Sequence, residues 1–246
     1  GGIDSSVVAS LIKKFHQNDL TTFSVAFDDE AYDESKYQKM MQDYLHTDHF
    51  TAIADNKSIA DVISDVVYFG ERPSIRTAPA PLYILSRLVR ERQIKVVLTG
   101  EGADEAFAGY NIFKEAKVRQ FIAQNPDSPM REQLLFHLYP YVNGSDRAGK
   151  FWLAFFKKGL KESASPLFSH LVRWNNSSSI VSFMNKELQE HYNFEDLLNQ
   201  SLAFLPEDFQ KWHPVSRAQY IETKMFLPGY LLSTQGDRML MANSVE

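Results

Sequence analysis

The chain has 246 residues, 44% of them hydrophobic and 23% charged, which is enough to bury a sizeable core in one large domain or two small ones. A net charge of −5 argues against the broad electropositive surface of a nucleic-acid binder, and the absence of cysteine excludes disulfides, thiolate metal sites and a cysteine nucleophile within these residues. No apolar run approaches the roughly 18 residues of a membrane span, so neither nucleic acid nor membrane is expected as a partner, and a cytoplasmic address is the expectation.

The chain opens on "GGIDSS", after which Val7, Val8, Leu11, Ile12 and Phe15 recur at helical spacing and predict a helix over 5–17. Residues 20–27, "LTTFSVAF", are β-branched and aromatic and predict a buried strand. A helix from Glu34 to Leu45, a short strand over 49–54 and helices over 57–69 and 80–92 follow. The clearest strand of the sequence is predicted over 94–100, "IKVVLTG". This alternation is the pattern of an α/β fold, a parallel Rossmann-like sheet wound by crossover helices on both faces. Beyond Tyr110 aromatic and leucine-rich stretches alternate with short polar breaks, which predicts a mainly helical region. The division falls between residues 110 and 125 and separates an α/β core over 1–120 from a helical part over 121–246.

Ligands of a parallel α/β sheet bind beyond the carboxyl ends of the strands, and two loops are candidates for that position. In the first, Gly1 and Gly2 let backbone N–H groups approach an anion, Ser5 and Ser6 add hydroxyls, and the following helix offers its positive N-terminus. Asp4 would repel a bare phosphate, but not one bridged by a magnesium ion with hard oxygen ligands. Alone, the same loop is equally a glycine turn with Asp4 and Ser5 capping a helix. The second loop, "VVLTGEGADEAFAGY" over 96–110, carries Glu101, Asp104 and Glu105 around Gly102. Its acids also suit the first turn of a helix, although Glu101 sits early for that role. Walker A is excluded because the one Gly-Lys pair, Gly149-Lys150, is followed by Phe151, and the Rossmann fingerprint fails at Glu105. Two acidic glycine-rich loops can present Asp4 and Asp104 to one magnesium ion, and the pair is far more specific than either loop.

At these residues the sequence resembles a known family. "GGIDSS" is similar to the pyrophosphate loop of N-type ATP pyrophosphatases, and "LTGEGADEAFAGY" resembles the second signature of class B, glutamine-dependent asparagine synthetases. "LPGYLLSTQGDRMLMANSVE" over 227–246, "FSVAFDDEAYDES" and "RPSIRTAPAPLYILSR" extend the resemblance across the chain in the expected order.

The resemblance implies a domain that binds ATP and magnesium and adenylates the side-chain carboxylate of aspartate with release of pyrophosphate, after which ammonia gives asparagine. It assigns Gly1, Gly2, Asp4, Ser5 and Ser6 to the pyrophosphate loop, Asp4 and Asp104 to the metal, Val25 to an adenine pocket, and Thr99 and Gly100 to the nucleotide. Glu101 is implied as the catalytic carboxylate beside the attacking amine; related β-lactam-forming synthetases carry tyrosine there, so glutamate favours an external amine. Arg76, in "SIRTAP", is implied near aspartate, where a guanidinium can hold a carboxylate in a bidentate pair, and Ser74 is a weaker candidate.

Relative to that family, the strand and serine expected before Gly1, an amino-terminal glutaminase domain that supplies ammonia from glutamine, and further helices with a phosphate-contacting lysine after Glu246 are missing. The expectation is an internal fragment, inactive or weakly active alone and limited to ammonia as nitrogen source. A homodimer is a further candidate assembly. The alternatives are a related amidotransferase acting on another carboxylate, such as a cell-envelope or peptide precursor, and a non-catalytic nucleotide-binding derivative. The seven histidines show no metal-type spacing. Phe151, Trp152, Phe155 and Phe156 read as a helical core face followed by solvated Lys157 and Lys158, and Asp237-Arg238 reads as a helix anchor.

Overall fold

A computed structural model describes residues 2–16, 19–29, 33–72, 76–139 and 147–246. Two parallel strands, β1 (Thr21–Ala26) and β2 (Asp48–Ile53), pair from Thr21 opposite Asp48 to Ala26 opposite Ile53. Parallel pairing requires a crossover, supplied by α2 (Ser35–Leu45), which ends at His46 in the left-handed region with φ 51°. Strand alternation sends Thr22, Ser24 and His49 to the face where Gln38 of α2 meets Ser24. Phe23 and Phe50 stack on the opposite face, their ring centroids 5.8 Å apart, and the Arg92 guanidinium lies 3.8 Å above the Phe50 ring.

The chain divides into two compact units, one of residues 1–103 and 223–246, the other of residues 104–222. In the first, the sheet and α2 are joined by α1 (Ile3–Phe15), α3 (Asn56–Gly70) and α4 (Pro79–Glu91). Helix α3 starts where the Asp55 carboxylate accepts the Ser58 N–H at 2.6 Å, and α4 starts on Pro79, which lacks the N–H that a first turn leaves unused. Their apolar faces enclose Val62, Val66, Ala80, Tyr83 and Met239. Late in the chain the backbone runs through a long π-helical stretch over Glu222–Asp237 into a short terminal helix, Arg238–Met241. That helix is tied to α4 by the Ser86 hydroxyl, which donates to the Met239 carbonyl at 2.8 Å, and to the end of α3 by the Arg238–Glu71 ion pair. The anchor role expected of the Asp237-Arg238 segment thus has a concrete form in Arg238 and the fully buried Met239.

The expected strand over 94–100 is corrected by the structure. Among the described residues, 94–100 join no strand ladder; Val97 N–H donates to the Glu246 carbonyl and Glu246 N–H to the Lys95 carbonyl, each at 2.7 Å. The β-branched composition favours extension, but strand character needs a continuous hydrogen-bonded neighbour.

The second unit is helical among its described residues. Helices α5 (Ala103–Phe107, begun in the first unit), α6 (Asn111–Ala123), α7 (Pro129–Leu138), α8 (Arg147–Lys157) and α9 (Phe168–Ser178) precede α10 (Lys186–His191), α11 (Phe194–Ala203) and α12 (Pro214–Ile221). Ile122, Leu135, Tyr139, Phe156, Leu160 and Phe168 form its main core. Trp152, Phe155 and Phe156 face that core as expected, whereas Phe151 is 66% exposed. Arg119 of α6 is 1% exposed and donates to the carbonyls of Phe156, Lys158 and Phe168. It thereby satisfies backbone acceptors where α8 ends and α9 begins. The fold is therefore α/β, a parallel sheet with flanking helices followed by a mainly helical region. Among the described residues, no helix is long and apolar enough to cross a membrane.

Candidate functional site

Helix α1 begins immediately after Gly2, whose extended backbone (φ −66°, ψ 162°) supplies no side-chain cap. The N–H groups of the first turn are thus left without the side-chain acceptor that usually covers them, and together with the helix dipole they favour an anion. Ser5 and Ser6 donate their hydroxyl hydrogens to the Gly2 carbonyl at 3.2 and 2.8 Å, which leaves their oxygens as hard acceptors. Asp4 is half-buried in the same turn, and Gly1 lies outside the described residues.

The second loop reaches this turn through Gly100. A Cβ built on Gly100 would lie 2.8 Å from the Ser5 amide nitrogen and 2.9 Å from the Asp4 Cβ, closer than real side chains approach backbone. The segment after 94–100 therefore packs on the start of α1 only because residue 100 has no side chain. Gly102 turns the loop with φ +89°, and the Glu101 N–H donates to the Thr99 hydroxyl at 3.3 Å. Glu101 and Thr99 are exposed.

In the second unit, Asp104 stands in α5, whose end is closed by Ala108 at φ 59° and by the Gly109 N–H donating to the Asp104 carbonyl at 2.9 Å. This is a Schellman closure. Beside it Glu105 is 1% exposed and accepts the Tyr110 hydroxyl at 2.9 Å. Gln219 of α12 donates its amide to the carbonyls of Glu105 at 3.2 Å and Ala106 at 2.8 Å. Gln219 carries no motif signal, since it reaches this loop across more than a hundred residues of sequence.

Of the remaining candidates, Val25 lies half-buried on β1, where its carbonyl accepts the Gln38 amide at 2.9 Å. Arg76 is exposed ahead of α4, and Ser74 lies outside the described residues. The structure thus brings Gly2, Asp4, Ser5, Ser6 and Gly100 together in the first unit, while Asp104 belongs to the second. Among the described residues, no group of three or more His, Asp or Glu side chains forms a metal cluster. The donor set of Asp4, Ser5 and Ser6, all oxygen, fits magnesium in its chemistry.

A cavity of about 530 Å³ runs from Ser5 and Ser6 along β1 to the 94–99 segment. Its floor holds an arrangement that spacing did not reveal, in which His49 contacts the Thr22 hydroxyl through Nδ1 and the Ser24 hydroxyl through Nε2, each at 2.9 Å. Burial lowers the His49 pKa from its ordinary value.

The family model for asparagine synthase matches residues 1–246. Asparagine synthetase [glutamine-hydrolyzing] 1 of Bacillus subtilis is 26% identical over 246 residues, covering 100% of this chain and 37% of the relative. Amidase chyE of Penicillium rubens is 28% identical over 280 residues, covering 100% of this chain and 39% of the relative. Asparagine synthetase [glutamine-hydrolyzing] 2 of Lotus japonicus is 31% identical over 142 residues, covering 53% of this chain and 24% of the relative. The chain spans well under half the length of each.

Proposed function

The chain belongs to the asparagine synthase family, and on that premise we propose that the protein carrying it is an ATP-dependent amide-forming ligase, an asparagine synthase of the glutamine-hydrolysing kind. In this reading ATP adenylates the side-chain carboxylate of aspartate with release of pyrophosphate, and ammonia, released from glutamine by a separate glutaminase domain, then attacks the acyl carbon and displaces AMP. The observation that carries the reading is the close approach of Gly100 to Asp4 and Ser5, which joins a nucleotide-type loop to an uncapped helix start.

The roles follow from residue chemistry. The backbone N–H groups at the start of α1, with Gly1, Gly2, Ser5 and Ser6, receive phosphate charge without a reorganisation cost during reaction. Asp4 and Asp104 would hold magnesium, which when bound neutralises nucleotide charge. Thr99 and Gly100 border the nucleotide, and Val25 borders the adenine. Arg76, with Ser74, orients the aspartate, and Glu101 takes a proton from the attacking amine. The α/β core over 1–120 and the helical part over 121–246, a homodimer and a cytoplasmic address complete the proposal.

A second reading is favoured by the Penicillium rubens relative and by another from Gibberella zeae, both named amidases although they align with the whole chain. In it the same activation chemistry serves a different carboxylate. Pyrophosphate release by the full-length protein, measured with ATP, magnesium and a panel of carboxylic acids, separates the two. Release dependent on aspartate is expected for the first reading, and release dependent on another acid supports the second. Asp104→Asn is expected nearly to abolish the signal, and a wild-type rate in that variant overturns the metal assignment.

A further inference from the structure

We propose that Gly109 is a positioning residue whose missing side chain fixes where the Asp104 carboxylate sits. A Cβ built on Gly109 would lie 1.8 Å from Asp104 Oδ1, 2.9 Å from its Cγ and 3.3 Å from its Cα. The carboxylate therefore occupies the space that any other residue at 109 would fill.

The placement of the glycine within the turn carries the argument. A helix that ends in a Schellman closure places its left-handed residue one position before the N–H donor, and that left-handed residue is usually glycine. Here the left-handed position, with φ 59°, is Ala108, a residue that pays steric strain there. The glycine comes one residue later, at the N–H donor, where no left-handed φ calls for it. Backbone conformation accounts for a glycine at 108 and not for one at 109. The Asp104 side chain does account for it.

The neighbouring contacts point the same way. Tyr110 holds the Glu105 side chain, and Gln219 holds the Glu105 and Ala106 carbonyls, so the backbone of α5 is pinned at the two residues that follow Asp104. With the backbone fixed, the only cheap response to a methyl group at 109 is rotation of the short Asp104 side chain out of its place. Such a variant keeps its fold and loses the position of one carboxylate, as happens when groups that orient a metal ligand are removed.

The inference rests on Asp104 being a ligand of the metal-bound nucleotide. Its test uses the full-length protein, with manganese as the probe, bound in the presence of ATP and followed by the electron paramagnetic resonance of the free ion. Asp104→Asn and Gly109→Ala are each expected to weaken manganese binding by about tenfold or more, with binding of metal-free ATP not weakened. Wild-type manganese affinity in Gly109→Ala, alongside a loss in Asp104→Asn, overturns the positioning role alone. Wild-type affinity in Asp104→Asn overturns the ligand assignment and the inference with it. Where Gly109→Ala lowers the melting temperature, the same change is made in an Asp104→Ala background. A methyl group that clashes chiefly with the carboxylate costs less stability there, and an undiminished cost overturns the proposal.

Discussion

Gly100 and Ser5 touch backbone to backbone: a Cβ on the glycine would stand 2.8 Å from the serine amide nitrogen. That contact ties the loop over 99–102 to the first turn of α1, so the distance between the two loops is set by the absence of one carbon atom. Gly100→Ala forces the turn carrying Asp4 and Ser5 to move, and overpacking of this kind costs about 1–3 kcal/mol. If the turn binds nucleotide phosphates, the same displacement raises the KM for ATP by about tenfold or more. Steady-state pyrophosphate release by the full-length variant checks this, and an unchanged KM counts against a nucleotide role for the contact.

Arg119 makes a second, purely structural prediction. Its guanidinium donates to three backbone carbonyls and lies 4.4 Å above the Phe168 ring. Burial lowers its pKa to about 10, so it stays charged at neutral pH. Arg119→Met fills similar volume but leaves those carbonyls without their donor and the buried Glu115 with Arg173 as its remaining cationic partner. A loss of about 3–5 kcal/mol is expected, read as a fall in the unfolding midpoint of the helical unit. Arg131→Met, which removes an exposed guanidinium stacked on Phe121, is the matched control and is expected to cost under about 1 kcal/mol.

The parts of this fold that were legible in the sequence are those that depend on local periodicity. Helices α2, α3 and α4 and strands β1 and β2 lie within a residue or two of their expected ends, because apolar spacing, Asp55 and Pro79 act locally. Residues 94–100 differ because strand character depends on a partner elsewhere in the chain, and among the described residues their long-range backbone bonds go to Glu246 alone. Phe151 differs from Phe155 and Phe156 because the apolar run is wider than the face that α8 buries. The two glycine-rich loops could be picked out as motifs. The contact between Gly100 and Ser5, the grip of Gln219 on α5 and the hydroxyl pair around His49 could not, since each depends on tertiary approach or strand register.

Ala108 offers a gain of stability. A residue with a Cβ at φ 59° carries a strain of roughly 1 kcal/mol that glycine does not. Ala108→Gly removes the strain and adds freedom to the unfolded chain, so the expected net gain is smaller, about 0.5 kcal/mol. Thermal unfolding of the full-length protein measures it. A melting temperature lower than that of the wild type would show that the Ala108 methyl group packs more favourably than its backbone strain costs.

His49 carries the pH prediction, and its tautomer follows from the bonds around it. The Gln38 amide nitrogen donates to the Val25 carbonyl at 2.9 Å, so its oxygen is the acceptor that meets the Ser24 hydroxyl at 2.8 Å. Ser24 has then used its one hydrogen, and its oxygen must accept from His49 Nε2–H. Nδ1 is left bare and accepts from the Thr22 hydroxyl, whose oxygen accepts from Thr47 at 3.0 Å. A proton added at Nδ1 faces the hydrogen of Thr22 and breaks this chain of donors. Burial acts in the same direction and lowers the folded-state pKa below the unfolded value of 6.5. Below 6.5 the unfolded chain therefore binds more protons than the folded one, so this contribution is complete above that pH and is lost as the pH falls through the folded pKa. Hydrogen exchange of peptides spanning β1 and β2, measured at pH 7.5 and 5.5 after correction for intrinsic rates, is expected to show weaker protection at the lower pH in the wild type. His49→Gln removes the titrating ring, and its protection is expected to change less between the two conditions. Equal pH dependence in the two proteins would exclude His49 as the group responsible.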